Sequence, residues 1–378
     1  MMLKISSQFD SGAIEVLSLA DAQNIHLNIR SDNASPFSQW FHFRLLGAKD
    51  QDCVIHFDNA ASSAYPDGWP DYNAVASYDT ENWFRVASDY DGKTLRIHHR
   101  PERESVFYAY FEPYSWERHM RLLGEAVEAS PLCELVHLGS TLDGRDMDLL
   151  RVGVEMPGKK KIWITARQHP GETMAEWFVE GLLETLLDPE NSVARVLLEK
   201  AVFYIVPNMN PDGSVRGNLR TNAAGANLNR EWATPTMERS PEVFLVRQMM
   251  LETGIDAFLD VHGDEAIPHN FVAGCDDNTS FSAHQASLQD AFKASWLATC
   301  PDFQTEFGYE KGKFGPETLT IGTNWVGDAF DCLAYTIEMP FKDTAKRPLP
   351  EVGWNGERSR QFGASVLLPL LAVVDKLR

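Results

Sequence analysis

Cysteine is scarce in this chain: it has five cysteines in 378 residues, an odd number, and none of them forms a Cys-x-x-Cys pair. This scarcity excludes a disulfide framework and argues against a zinc site built from thiolates. The first residues also lack the apolar core and the cleavage site of a signal peptide. We therefore predict a protein of the reducing cytoplasm.

Long apolar runs are missing as well. The most apolar late segment, residues 365–374, is about half as long as a helix that spans a bilayer, and it contains Pro369. Such a segment is typical of a buried C-terminal helix. No membrane partner is predicted.

Basic residues are fewer than acidic residues in this chain. Only 34 Lys and Arg stand against 54 Asp and Glu, which gives a formal net charge of −20. A surface of this charge repels nucleic acid phosphates and anionic lipid, so neither partner is expected. With 44% hydrophobic and 23% charged residues, the chain has the ordinary balance of a folded protein, and its length suits two domains.

Residues 1–112 alternate short apolar and polar runs with turn-rich stretches, and clear helical patterns are absent. The runs that have the two-residue period of a half-buried strand lie at residues 25–30, 40–46, 53–57, 95–99 and 106–111. Regularly spaced short strands predict an all-β sandwich domain. His98 and His99 adjoin there, but neighbours on a strand point to opposite faces, so a shared metal is not expected.

From residue 113 to residue 378 strands alternate with helices. The predicted strands lie at residues 135–139, 149–155, 161–166, 202–207, 255–261 and 332–339, and the first two flank a hairpin turn at residues 143–146. The predicted helices lie at residues 116–129 and 172–187, and a third helix begins with Ser240 as N-cap and stops at Gly254. This alternation predicts an α/β domain with a mixed, largely parallel sheet flanked by helices.

The sharpest local motif is Gln-His-Pro-Gly-Glu at residues 168–172. It joins a predicted strand to a predicted helix, so His169 at the strand end and Glu172 in the first helical turn can converge on one cation. Ligands of α/β sheets gather at the carboxyl ends of strands, where this turn lies. Taken alone, a His-x-x-Glu motif is more typical of a solvated loop.

A catalytic zinc needs three protein ligands and one open position. His262 follows the predicted strand 255–261 and is itself followed by Gly-Asp, which repeats the placement of His169 at a strand end. It is the candidate third ligand. The alternative is a core histidine bonded to the backbone.

Two further features lie at the same predicted sheet edge. Residues 208–232 follow a buried strand and carry arginines and asparagines, groups that bind carboxylates, although Asn-Pro-Asp-Gly at residues 210–213 is also a strong turn signal. Glu338 lies in an apolar run, where an acid is costly unless it is paired or has a chemical role. A general base beside a metal fits this position, and a satisfied core carboxylate is the alternative.

In this order, these residues resemble the zinc metallocarboxypeptidase family, most closely a bacterial-type member of its cytosolic carboxypeptidase branch. The resemblance implies a carboxypeptidase-like fold with one Zn²⁺ per chain. It also implies that the metal ligands are His169, Glu172 and His262 and that Arg220 polarises the substrate carbonyl. By the same resemblance, Asn229 and Arg230 bind the terminal carboxylate and Glu338 is the catalytic glutamate.

Two positions depart from the family pattern. Many relatives have an Asp that orients the first zinc histidine, and this chain has Asn227 there, which can accept the imidazole N–H without adding charge. The family's mobile tyrosine has no certain counterpart, and Tyr309 is the candidate.

The resemblance implies a zinc-dependent exopeptidase that acts on the C-terminus of a peptide or protein. One alternative keeps the zinc and hydrolyses small N-acyl amino acids, as in desuccinylase and aspartoacylase enzymes; another is a non-catalytic binding protein. Lys311 and Lys313 are candidates for a basic pocket, although solvated loop positions suit both. The sequence leaves the preferred C-terminal residue and a homo-oligomer open.

Overall fold

The computed structural model describes residues 2–313 and 315–378, with only the backbone of residues 315–317. Its N-terminal part holds ten strands in two five-stranded sheets, of order β1-β4-β10-β6-β7 and β2-β3-β5-β9-β8. The strands are β1 (Lys4–Ser6), β2 (Glu15–Ser18), β3 (Ile25–Asn28), β4 (His42–Leu46), β5 (Cys53–Phe57), β6 (Ala74–Ser77), β7 (Trp83–Val86), β8 (Ser88–Tyr90), β9 (Leu95–His99) and β10 (Ser105–Ala109).

The two sheets pack face to face through the inward residues of their strands. Buried and half-buried residues alternate along β5, as its two-residue period predicted. Phe57 of β5 meets Phe41, which precedes β4 in the other sheet, with ring centroids 4.6 Å apart. The predicted sandwich is confirmed. His98 and His99 point apart: His98 bonds to Asp89, and His99 Nδ1 lies 2.8 Å from a tyrosine hydroxyl.

The C-terminal part is built on a seven-stranded sheet of order β11-β12-β14-β13-β15-β17-β16. Its strands are β11 (Cys133–Ser140), β12 (Asp146–Val152), β13 (Lys160–Ala166), β14 (Ala201–Val206), β15 (Ala257–Asp264), β16 (Phe271–Gly274) and β17 (Leu333–Pro340). The helices are α1 (Trp116–Ala129), α2 (Met174–Leu187), α3 (Ser192–Lys200), α4 (Pro211–Arg216), α5 (Pro241–Thr253), α6 (Ala283–Thr299), α7 (Gly322–Phe330), α8 (Gly356–Ser365) and α9 (Leu367–Val373). Short 3₁₀ turns lie at Ala60–Ser62, Pro66–Gly68, Leu228–Arg230, Gly315–Thr320 and Val374–Lys376.

The sheet is mixed, as predicted, and its parallel part is the centre. Strands β14, β13, β15 and β17 run parallel, whereas β11, β12 and β16 add antiparallel edges. Alternate residues of β13 enter different cores: Ile162 and Ile164 join the core that contains α2, and Trp163 joins the core that contains α5. Both faces are therefore covered, which explains why β14 and β17 are buried throughout.

Several local predictions were wrong in detail. Helix α2 begins at Met174, so Glu172 lies in the turn before the helix, not within its first turn. Strand β15 continues to Asp264, so His262 is a strand residue, not a loop residue. The predicted turn at 210–213 is the start of α4, and Ser240 precedes α5 without making the predicted side-chain cap.

The predicted boundary after residue 112 lies between β10 and α1, in a stretch without regular structure. One hydrophobic core runs from Ala13 to Leu377 through both parts of the chain. Across the junction, the Arg85 guanidinium donates to the carbonyl oxygens of Phe341 and Trp354 at 2.9 and 2.7 Å. The β-domain thus packs firmly against the α/β domain. Within the described residues, no helix combines the length and apolar character needed to cross a membrane. The five cysteines are buried and free of disulfides.

Candidate metal centre and catalytic site

The turn between β13 and α2 presents His169 and Glu172. It is held from behind by the buried guanidinium of Arg167, which donates to the Pro170 carbonyl at 2.9 Å and to the Glu176 carboxylate at 2.7 Å. Gly171 packs closely, because a Cβ there would lie 3.0–3.2 Å from Leu219, which would have to shift. The strand end and its fixed turn therefore aim both side chains at the same point.

His262, on the neighbouring strand β15, completes the group. Its Nδ1 lies 2.8 Å from Glu172 Oε2 and 3.2 Å from His169 Nδ1, and His169 Nδ1 lies 2.7 Å from Glu172 Oε1. All three side chains are buried. Among the residues that the structure describes, this is the one group of three or more His, Cys, Asp or Glu side chains arranged to hold a metal ion.

The outer nitrogens of the two imidazoles are occupied by acceptors. His169 Nε2 lies 3.0 Å from Asn227 Oδ1, the contact expected for this amide, and His262 Nε2 lies 2.9 Å from Asp260 Oδ2. These acceptors fix the protons on the outer nitrogens and leave both Nδ1 lone pairs facing the cluster. Two histidines and one carboxylate form the donor set of a catalytic zinc site, and the group fits that metal.

The electrostatics also favour a cation at this point. Burial, reinforced by the charge of Arg220, lowers the pKa of His169 to about 4, so its imidazole is neutral near pH 7. Burial alone would lower the pKa of His262, but the carboxylates of Asp260 and Glu172 outweigh it and raise that pKa well above its ordinary value. A pocket that attracts a proton in this way also attracts a metal cation in its place.

Glu338 lies next to this group on β17. Burial, the largest effect, raises the pKa of its carboxyl to about 8; the charge of His262 opposes the rise, while Glu172 and Asp264 add to it. Glu338 Oε1 lies 2.9 Å from the Tyr309 hydroxyl, and Glu338 Oε2 is buried with no hydrogen-bond partner among the described residues. The satisfied core carboxylate considered from the sequence is therefore not what the structure shows.

Three predicted polar residues share a cavity of about 280 Å³ with the metal group: Arg220, Asn229 and Arg230. Arg220 lies with its guanidinium 3.9 Å from Glu172 Oε1. Asn229 belongs to the 3₁₀ turn Leu228–Arg230, and its Oδ1 accepts from the N–H of Gly322 at 2.9 Å. The structure thus brings every predicted site residue to one place.

Tyr309 lies over the same cavity. Its hydroxyl is 2.9 Å from both Asp264 Oδ2 and Glu338 Oε1, and the Lys313 ammonium lies 3.4 Å from the centre of its ring. Lys313 lines the metal cavity, whereas Lys311 lines a neighbouring cavity of about 470 Å³. Of the two candidate lysines, only Lys313 therefore faces the metal group.

Comparison with known families settles the class of protein. A model described as zinc carboxypeptidase matches residues 120–354, and a model of the cytosolic carboxypeptidase N-terminal domain matches residues 5–111. The chain belongs to the zinc carboxypeptidase family.

Solved structures of bacterial metallo-carboxypeptidases share its fold along nearly the whole chain. A metallo-carboxypeptidase from Burkholderia cenocepacia is 52% identical, with a TM-score of 0.97 over 99% of this chain and 99% of its own. One from Pseudomonas aeruginosa is 48% identical, with a TM-score of 0.96 over 99% of this chain and 100% of its own. Mouse cytosolic carboxypeptidase 6 is 27% identical, and the match covers 90% of this chain but 67% of the mouse protein. The carboxypeptidase-like fold and the hydrolase class predicted from the sequence are confirmed.

Two further acids, Asp260 and Glu265, belong to this zinc carboxypeptidase site and were not predicted from the sequence. Asp260 orients His262 and also accepts from Thr165 Oγ1 at 2.8 Å and Gln168 Nε2 at 2.6 Å. Its position two residues before His262 on a strand places both on one face, so the two-residue period could have found it. Glu265 lines the cavity and has a buried Oε1 without a partner among the described residues, and no sequence signal pointed to it.

Proposed function

We propose that this zinc carboxypeptidase binds one Zn²⁺ per chain through His169, Glu172 and His262 and removes residues from the C-terminus of peptides or proteins. One observation carries the proposal: two Nδ1 atoms and a carboxylate converge within 3.2 Å of one another, beside an acid whose second oxygen has no hydrogen-bond partner in the described part of the chain. Because the five cysteines are free and buried, a reducing cytoplasm suits the protein.

Zinc bound there supplies Lewis acidity, which polarises a carbonyl and makes water a stronger acid. Glu338 is the general base, and its Oε2, to which none of the described residues hydrogen-bonds, receives the proton of the attacking water. Because burial raises the pKa of this carboxyl, its carboxylate is a stronger base than an exposed one, and the acid it forms returns the proton to the leaving amine. Tyr309, 2.9 Å from Oε1, holds the carboxyl in place while Oε2 acts.

Arg220 supplies positive charge where the carbonyl oxygen of the scissile bond becomes an oxyanion. Its guanidinium lies 3.9 Å from a metal-ligand oxygen, at the edge of the cavity, which suits this role. The charge is already in place before the reaction starts. A fixed donor of this kind costs no rearrangement in the transition state.

Asn229 and Arg230 bind the free carboxylate of the substrate, which makes the enzyme exo-acting. Asn229 is oriented by its bond from Gly322, and Arg230 extends into the same cavity, so an amide donor and a guanidinium face one ligand. The Pseudomonas aeruginosa relative was solved with (2-guanidinoethylmercapto)succinic acid, a dicarboxylic acid, which supports a carboxylate subsite here.

The test compares substrates on zinc-loaded and chelator-treated protein, read by mass spectrometry with metal content measured in parallel. The set contains a peptide, the same peptide with an amidated C-terminus, and an N-acetyl amino acid. We expect one zinc per chain and zinc-dependent release of single C-terminal residues from the free peptide alone. Faster turnover of the N-acetyl amino acid would instead establish an amidohydrolase.

A further inference from the structure

The segment that carries Arg220 is clamped by the β-domain. Asp32, in the loop after β3, accepts from the N–H groups of three successive residues: Leu219 at 2.6 Å, Arg220 at 2.8 Å and Thr221 at 2.9 Å. The Thr221 hydroxyl adds a fourth bond to the same carboxylate at 3.0 Å. Asp32 is 6% exposed, so water does not compete effectively for these bonds.

The other side of the same segment is bonded to the metal turn. The N–H of Gly171 donates to the Leu219 carbonyl at 2.8 Å, and a Cβ at Gly171 would press on Leu219. The backbone before Arg220 is therefore held between Asp32 and the turn that presents His169 and Glu172. Two bonded neighbours leave this backbone little room to shift.

The guanidinium of Arg220 also meets the β-domain. Its central carbon lies 5.4 Å from the ring centre of Tyr65 and 5.7 Å from that of Phe37, both of which precede β6 in the chain. Cation–π attraction favours a guanidinium in this position. Backbone and side chain of Arg220 are thus both set by residues of the β-domain.

We propose that Asp32 is a positioning residue for catalysis: through three backbone N–H bonds it fixes Arg220 where its charge meets the developing oxyanion. The inference rests on the proposed role of Arg220. It makes the β-domain a working part of the catalytic site, because a shift of about 1 Å in such a group can cost 10²-fold in rate.

Asn33 provides a matched control. It belongs to the same loop and the same junction, where it donates to the Ala223 carbonyl at 2.7 Å and accepts from Asn218 Nδ2 at 2.6 Å. Its hydrogen bonds go to residues 218, 222 and 223, on either side of residues 219–221. Asn33→Ala therefore weakens the junction without releasing Arg220.

The experiment measures kcat, KM and melting temperature for Asp32→Asn and Asn33→Ala in the zinc-loaded full chain. Asp32→Asn turns one acceptor oxygen into a donor that faces N–H groups. We expect kcat to fall by about tenfold or more with KM nearly unchanged, since Arg220 acts in the transition state. Asn33→Ala should lower the melting temperature and leave kcat at the parent value. Equal kcat in the two variants would overturn the inference.

The same measurement in an Arg220→Ala background separates this inference from the proposed function. If Asp32 acts through Arg220, Asp32→Asn has no further effect on kcat there. An equal fall in both backgrounds would overturn the positioning role alone, whereas an Arg220→Ala variant with parental kcat would remove the oxyanion role and the inference together. Should Asp32→Asn not fold, Thr221→Val removes the hydroxyl bond only; we expect a fall of about twofold or more in kcat, and an unchanged kcat would contradict the inference.

Discussion

His262 and Glu338 are direct register partners on the adjacent parallel strands β15 and β17. Strand pairing alone therefore places a proposed metal ligand beside the proposed base, with no loop between them. Both strands are buried along their length, so the two groups meet in a rigid, low-dielectric part of the molecule. The sheet itself fixes the spacing between His262 and Glu338.

The first prediction concerns this base. Glu338→Gln removes the proton acceptor but keeps its size, so zinc content should stay at the parent value while kcat falls by roughly 10²–10⁴-fold. Steady-state kinetics and metal analysis on the same preparation measure both quantities. Glu265→Gln is the matched control, since it replaces another buried acid of the same cavity, one that has no role in the proposed mechanism. Comparable losses of kcat in both variants would show that removing any acid from the cavity lowers the rate, and would take the proton-transfer role away from Glu338.

The second prediction concerns the acceptors behind the two histidines. Asn227→Asp adds a negative charge behind His169 and should tighten zinc binding by about tenfold, because a carboxylate makes the imidazole a better ligand. Asp260→Asn makes the opposite change behind His262 and should weaken zinc binding by about 10–100-fold. Competition with a chelating dye measures both affinities. If the two substitutions shift affinity in the same direction, the metal does not depend on these imidazoles as proposed.

The third prediction concerns the grip on the substrate carboxylate. Arg230→Ala should raise KM for a free peptide by roughly 10–100-fold, the cost of one charged hydrogen bond. The preference for a free over an amidated C-terminus should shrink in parallel. Arg216→Ala serves as control. Like Arg230, Arg216 lies in the segment after β14, but its guanidinium pairs with Asp143 at 2.7 Å outside the cavity. Unchanged discrimination between the two substrates would take Arg230 out of this role.

Much of the fold was predictable because strong local patterns agree with the tertiary structure. Helix α1 begins and ends where its periodicity predicted, with Ser115 as N-cap accepting from the N–H of Arg118 at 3.1 Å. Helices α3, α6, α7 and α8 were missed, and α4 was predicted as a turn. Helix α6 lies among residues without a clear apolar stripe, although its Ser282–Gln285 capping box is a readable signal. Strand β16 is only four residues long, too short for a pattern to show.

The site residues also divide into those that local sequence patterns predicted and those that they did not. His169 and Glu172 were found because three residues separate them and a turn joins them. Asp32 lies 188 positions before Arg220 in the chain, and its contact exists only because the β-domain docks on the loop that carries Arg220. Composition and periodicity carry no information on docking, since it depends on surface shape. The role proposed for the β-domain could therefore be inferred only from the three-dimensional structure.

The last prediction is a pH dependence of stability at Glu242, in the first turn of α5. Burial raises the pKa of this carboxyl to about 7, an effect that its hydrogen bond from Asn222 only partly offsets. A folded pKa above the unfolded value of about 4.5 means that the native state binds the extra proton, so stability falls as pH rises from about 4.5 to 7 and stays lower above that. A difference of about 2.5 pH units corresponds to roughly 3 kcal/mol.

Glu242→Gln keeps the acceptor for Asn222 and removes the charge, so it should raise the melting temperature at pH 8.5 and change it little at pH 4.5. Thermal unfolding across that pH range measures the difference between variant and parent. Glu252→Gln changes an exposed acid of the same helix and should give parallel curves at every pH. If the melting temperatures of the two variants change with pH in the same way, ionising Glu242 carries no desolvation cost in the folded state. Water or a cation must then reach its carboxylate.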